Sequence, residues 1–184
     1  MVLGAGPHAA LPLNDIALDA YASGFNQKVR LEADVLMHVL QHKQLSASTK
    51  EAGGQLFGTV DQSTVRIVRA TGPYKTDERS RFRYRSNPSS AQKAIQEQSE
   101  LGLFYLGEWH THAEDHPSAS QMDGDAMRKL MSKSKLNSSS LVMLIVGRAT
   151  GPSGLSLCTV NPQGERLIWS FTSKPPYFGA YCLE

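Results

Sequence analysis

The 184-residue chain has two cysteines, Cys158 and Cys182, too few for a disulfide framework or a four-thiolate zinc site. Both read as buried small hydrophobes of a protein from a reducing compartment. A dominant charge is also lacking. With 19 Lys and Arg against 17 Asp and Glu, the net charge is +2, and no overall field draws the chain to nucleic acid or anionic lipid. Long apolar runs are missing as well, and the opening segment lacks the Lys/Arg-flanked apolar stretch of a leader. The expectation is a cytoplasmic protein with no nucleic-acid and no membrane partner. Internal repeats are absent. The glycines at 53, 54 and 58 do not follow the spacing of a phosphate-cradling loop, so no nucleotide site is expected.

Hydrophobic residues at 40% and charged residues at 20% describe an ordinary globular chain, long enough for one domain with a proper core. Residues 1–14, small and proline-containing, read as a flexible N-terminal arm. Residues 15–174 read as the domain and 175–184 as an irregular tail. Short strands are expected at Ile16–Tyr21 and Lys28–Leu31, followed by a helix from Glu32 to about His42. Further strands are expected at 53–60, 65–70 and 81–85, the last with Arg81, Arg83 and Arg85 facing solvent and Phe82 and Tyr84 facing the core. Asn87 caps a helix that begins at Pro88 and closes at Gly102. A strand from Leu103 to His112, a loop to Ala119, a helix over 120–134 with an inner stripe of Met122, Ala126, Met127, Leu130 and Met131, and three hairpin-like strands complete the chain. The fold class is α/β, a mixed central β-sheet flanked by helices.

The segment Gly107-Glu108-Trp109-His110-Thr111-His112, with Ser120-x-x-Asp123 after a seven-residue loop, carries the chemistry. Residues two apart on a strand point the same way, so His110 and His112 present two imidazoles on one face. Asp123, in the first turn of the next helix, can return a carboxylate to that point. Two imidazoles and one carboxylate with an open fourth position are the pattern of catalytic zinc, which makes a water acidic enough to attack near neutral pH. Glu51, just before the glycine-rich strand, is the leading general acid/base, and Ser120 could donate to an oxyanion.

Glu51 with His110-x-His112 and Ser120-x-x-Asp123 resembles the signature of the JAMM zinc metalloproteases, the MPN-domain family, and Glu51-Ala-Gly-Gly-Gln-Leu-Phe-Gly58 is similar to the stretch around that family's upstream glutamate. The pattern is most similar to bacterial stand-alone members, including the deconjugating proteases of CBASS antiphage operons. The resemblance implies the MPN fold, with the three layers of cytidine deaminases and one zinc ion per chain. It also implies isopeptidase cleavage after the carboxyl terminus of a ubiquitin-like modifier or conjugated protein. The implied partners are E1/E2-like conjugation enzymes and a CD-NTase. Processing of a small sulfur-carrier protein and a non-catalytic scaffold are the alternatives. Ala113 stands where many relatives carry proline, which bears on the rigidity of the loop.

Other residues near the motif have plainer readings. Ser120-x-x-Asp123 also matches a helix capping box. Glu108 shares the face of His110 and is a candidate acceptor for an imidazole N–H or a rival base. His116 is a loop residue near the site and, with Arg81, Arg83 and Arg85, a candidate for the substrate groove. His38 and His42 lie four apart on a helix, but Val39 stands where a helical zinc protease has its glutamate, so both read as structural.

Overall fold

The computed structural model describes residues 16–133 and 139–171; the N-terminal arm and the tail assigned from sequence lie outside these. Among the described residues, ten strands and three α-helices follow in the order β1 (Leu18–Tyr21), β2 (Lys28–Leu31), α1 (Ala33–Leu40), β3 (Gly53–Val60), β4 (Thr64–Ala70), β5 (Glu78–Ser80), β6 (Arg83–Arg85), α2 (Pro88–Glu100), β7 (Phe104–Thr111), α3 (Gln121–Lys133), β8 (Leu141–Val146), β9 (Leu155–Val160) and β10 (Arg166–Phe171). The mixed sheet and its helices are as expected. The layering is not: eight strands close into a barrel in the order β1-β10-β9-β8-β7-β3-β4-β2. Closure comes from β1, which pairs antiparallel with both β2 and β10 and so covers the two edges that an open layered sheet would expose.

The parallel pairs are β2 with β4 and β7 with β8. Parallel neighbours need a crossover, and α3 lies in the connection between β7 and β8. The first turn of α3 therefore follows the carboxyl end of β7, where His110 and His112 stand.

Strand β8 is buried along its whole length because both faces are covered. Val142, Leu144 and Val146 join Trp109, Leu56, Ile67 and the α1 residues Val35, Leu36 and Val39 in one core. Leu141, Met143 and Ile145 point the other way and pack with Cys158, Val160 and the α3 residues Met127 and Met131. Cys158 is buried as expected, its thiol pushed up to about 11 by burial; Cys182 lies outside the described residues.

Two elements differ from the sequence expectation. The strand at 81–85 is shorter, because Arg81 and Phe82 form the turn of a hairpin in which β5 pairs with β6. Phe82 is consequently 74% exposed, with the Arg81 guanidinium over its ring, while Tyr84 turns inward. On α3, Met122 and Ala126 are exposed and Gly124, Met127 and Met131 form the buried stripe. Rotating the helix in this way is what turns Asp123 toward β7.

Candidate metal centre

Strand β7 sits between β3 and β8, and its alternation separates a structural face from a chemical one. Trp109 and Thr111 are fully buried on the inner face. The Trp109 ring is packed by His38 and His42, each with its centroid 5.6 Å away, and its Nε1 donates to the Thr71 carbonyl at 2.9 Å. Both histidines pack as structural residues, but α1 ends at Leu40, so His42 stands in the turn after the helix and not on it. His110 and His112 stand on the opposite face. Their Nε2 atoms are 3.1 Å apart, and Asp123 places Oδ1 3.2 Å from His110 Nε2 and Oδ2 3.6 Å from His112 Nε2.

These three residues are the ones among the described residues whose ligand atoms converge as a metal site requires. Ligand atoms bound about 2.0–2.2 Å from a tetrahedral zinc lie roughly 3.3–3.5 Å from one another, and the separations found here bracket that range. Protonation states agree. Burial first, then the neighbouring His110, lowers the His112 pKa and keeps its imidazole in the neutral form a metal ligand needs. Burial would raise Asp123, but the hydrogen bond and charge of His110 together with the Ser120 donors outweigh it and hold the carboxyl below its ordinary range. The two-nitrogen, one-oxygen donor set suits zinc.

Ser120 realises the capping box. Its backbone N–H and hydroxyl donate to Asp123 Oδ2 at 2.7 and 2.6 Å, and the Asp123 N–H donates back to Ser120 Oγ at 3.2 Å. The box holds the Asp123 carboxylate against the start of α3. The loop before it is held despite Ala113. The Arg148 and Ala149 amides donate to the Glu114 and Asp115 carbonyls, Arg148 Nε pairs with Asp115 at 2.9 Å, and Pro117 is buried. His116 is exposed and its Nδ1 is engaged by the Ser153 carbonyl at 3.0 Å, away from the three converging residues.

Glu51 is brought to the same end of the sheet by antiparallel pairing, because Gly53 is opposite His110. Its side chain is buried. Desolvation raises its pKa to about 7, with the His110 charge opposing and the Asp123 charge adding to the rise. A carboxyl poised there can both take and return a proton near neutrality. Glycine at 53 is required because the Tyr84 ring lies where a Cβ would stand, and at 54 because the Thr71 carbonyl does.

Glu108 shares the histidine face as expected. A bulge in β7 opposite Leu56 and Phe57 brings Tyr105 to that side as well, and the Glu108 carboxylate accepts from Tyr105 Oη at 3.3 Å and Gln55 Nε2 at 3.4 Å. Burial raises its pKa against those two bonds. Of the groove arginines, Arg83 and Arg85 are exposed on β6, whereas Arg81 donates to the Ala47 carbonyl.

Sequence reasoning missed the parts that hold Glu51 in place. Thr111 Oγ1 accepts the Ala52 N–H at 3.0 Å and donates to Gln44 at 3.4 Å, and buried Gln44 donates in turn to the Thr49 and Arg81 carbonyls. These contacts join residues 30 or more apart in several cases, and no local pattern announces them.

A family described as prokaryotic homologs of the JAB domain matches residues 33–158, most of the chain and every residue of the site. The chain belongs to the prokaryotic JAB family. Several similar proteins carry the name CD-NTase/cGAS isopeptidase. One from Pseudomonas aeruginosa is 37% identical over 133 residues, covering 71% of this chain and 81% of that protein. Another from Vibrio cholerae is 32% identical over 117 residues, covering 62% and 72%. One from Escherichia coli is 29% identical over 131 residues, covering 70% and 81%. Among solved structures, the solution structure of protein DSY2949 from Desulfitobacterium hafniense is similar in fold, with a TM-score of 0.54 at 18% identity over 77% of this chain and 88% of that one. The JAB domain as seen here contains no described helix long and apolar enough to cross a membrane.

Proposed function

We propose that this JAB-family chain is a zinc-dependent isopeptidase of the JAMM type. It hydrolyses the bond after the carboxyl terminus of a ubiquitin-like modifier, or of a protein conjugated like one, in a CBASS-like bacterial defence pathway. The observation that carries the reading is the convergence of His110, His112 and Asp123 beside a buried Glu51 held near neutrality. The names of the similar proteins support a CD-NTase as the conjugated partner. E1/E2-like enzymes as the conjugating ones follow from the resemblance of the motif alone.

His110, His112 and Asp123 hold the metal, in the cytoplasm. When bound, zinc supplies a Lewis acid for the scissile carbonyl and lowers the pKa of water toward neutrality. Glu51 takes a proton from the attacking water and delivers it to the leaving lysine nitrogen, so that the amine departs neutral. Ser120, its hydroxyl turned from Asp123 toward the carbonyl oxygen, donates to the developing oxyanion. An extended carboxyl-terminal tail lies between the β5–β6 hairpin and the loop 113–119. Arg83 and Arg85 border this path together with Arg81 and His116, and main-chain pairing to the hairpin gives affinity without reading sequence.

The test is cleavage of a CD-NTase joined to a lysine through its carboxyl terminus, followed by mass spectrometry of both products. Hydrolysis to a free carboxylate and a free lysine, abolished by a zinc chelator and restored by zinc, is the expected result. Cleavage indifferent to the chelator overturns the reading.

A further inference from the structure

The three converging residues do not come from equally rigid supports. His110 lies in β7, which has neighbours on both sides, and His112 follows the last residue of that strand with its N–H donating to the Val146 carbonyl at 2.9 Å. Asp123, by contrast, stands in the first turn of α3, whose buried anchors Met127 and Met131 lie one and two turns further on. Something else must fix that first turn, and the β9–β10 corner does so. Arg166, the first residue of β10, reaches across to the start of α3. Its two terminal nitrogens donate to consecutive carbonyls, Nη1 to Ala119 at 2.8 Å and Nη2 to Ser120 at 2.6 Å.

The surroundings of Arg166 are shaped for this contact. Gly124 is buried directly beneath the guanidinium, and a Cβ there would come within 2.4 Å of Nη2. The corner that launches Arg166 is stiffened from both ends. Asn161 Nδ2 donates to Glu165 at 2.7 Å, and the Glu165 N–H donates to Asn161 Oδ1 at 2.9 Å. Gly164, with φ of +85°, lets the stem of Arg128 lie against the corner one turn along α3 from Gly124. A cation at a helix N-terminus meets the positive end of the macrodipole, which disfavours it. The planar fork offsets this by engaging two carbonyls at once, which a lysine could not do.

We propose that Arg166 is a positioning residue for the third metal ligand. By clamping the Ala119 and Ser120 carbonyls it sets the start of α3, hence the Ser120–Asp123 box, hence the distance of the Asp123 carboxylate from His110 and His112. Arg166 touches neither substrate nor metal. The inference rests on the metal-binding reading of these three residues.

Zinc affinity by chelator competition, and the visible spectrum of the cobalt-substituted protein, test it on wild type, Arg166→Ala, Arg166→Lys and the control Lys129→Ala, an exposed position on the same helix. Loss of supporting partners around a metal site commonly lowers affinity about 10–100-fold. A loss in that range is expected for Arg166→Ala, with a smaller one for Arg166→Lys, an altered cobalt spectrum in both, and wild-type behaviour in Lys129→Ala. If Arg166→Ala does not fold, as judged by circular dichroism, Arg166→Lys decides alone. Unchanged affinity and spectrum in a folded Arg166 variant overturn the inference and leave the metal reading standing. Absence of zinc binding in wild type overturns the metal reading itself.

Discussion

At the residue scale, two titratable groups on opposite faces of β7 are shifted for different ends. Glu51 is raised to about 7 beside the site, whereas His42 is lowered to about 4 by burial, by His38 and by Arg79, on the inner side against Trp109. A depressed histidine leaves stability intact above its unfolded value of 6.5 and removes it as pH falls toward 4, because the unfolded chain takes up a proton that the folded one refuses. His42→Gln is therefore expected to flatten the fall in denaturant midpoint between those two pH values relative to wild type. Identical pH profiles contradict it. The chemistry was legible at this scale because it is written in short spacings: His110, His112, Ser120 and Asp123 lie within 14 residues of one another and meet as the strand and helix periods require. Gln44 and Arg166 were not legible, since Gln44 meets Arg81 and Thr111, and Arg166 meets Ala119 and Ser120, only across the fold, where no local pattern points.

At the scale of elements, the registry of β3 against β7 places Glu51 at the same end of the sheet as His110. Thr111 secures it at the point where the ladder ends, with its N–H donating to the Ala52 carbonyl at 2.8 Å and its hydroxyl accepting the Ala52 N–H. Thr111→Val keeps the shape and removes the acceptor, leaving a buried N–H unpaired, and is expected to cost about 1–3 kcal/mol by urea denaturation. Because the next residue along is Glu51, turnover is expected to fall further than stability alone explains. Gly54→Ala drives a Cβ onto the Thr71 carbonyl and is expected to destabilise by about 1–3 kcal/mol or more, read as a lowered melting temperature. Element boundaries were read well where capping residues or a continuous apolar run marked them, as Asn87 and Pro88 do for α2 and Leu141–Val146 does for β8, and least well at the β5–β6 hairpin. Its three-residue strands carry no usable periodicity, and alternation across Arg81 to Arg85 mistook a turn for a strand.

At the scale of the whole molecule, a closed sheet with a core on each side gives the site its rigidity. The sequence showed the mixed strands and their helices but not the closure, which depends on four residues of β1 bonding to strands at both ends of the sheet. Leu144, fully buried among the inner-core residues, joins the parts of that closure, and Leu144→Ala is expected to cost about 2–5 kcal/mol in urea midpoint stability. On the proposed reading, a rigid barrel aims two imidazoles and a carboxylate at one metal while Glu51 moves the proton. Single-turnover cleavage of an isopeptide-linked CD-NTase by zinc-loaded Glu51→Gln, with its zinc content measured alongside, separates the two roles. Zinc content equal to wild type and cleavage slowed at least ~100-fold are expected; zinc-loaded Glu51→Gln cleaving at the wild-type rate would overturn the reading.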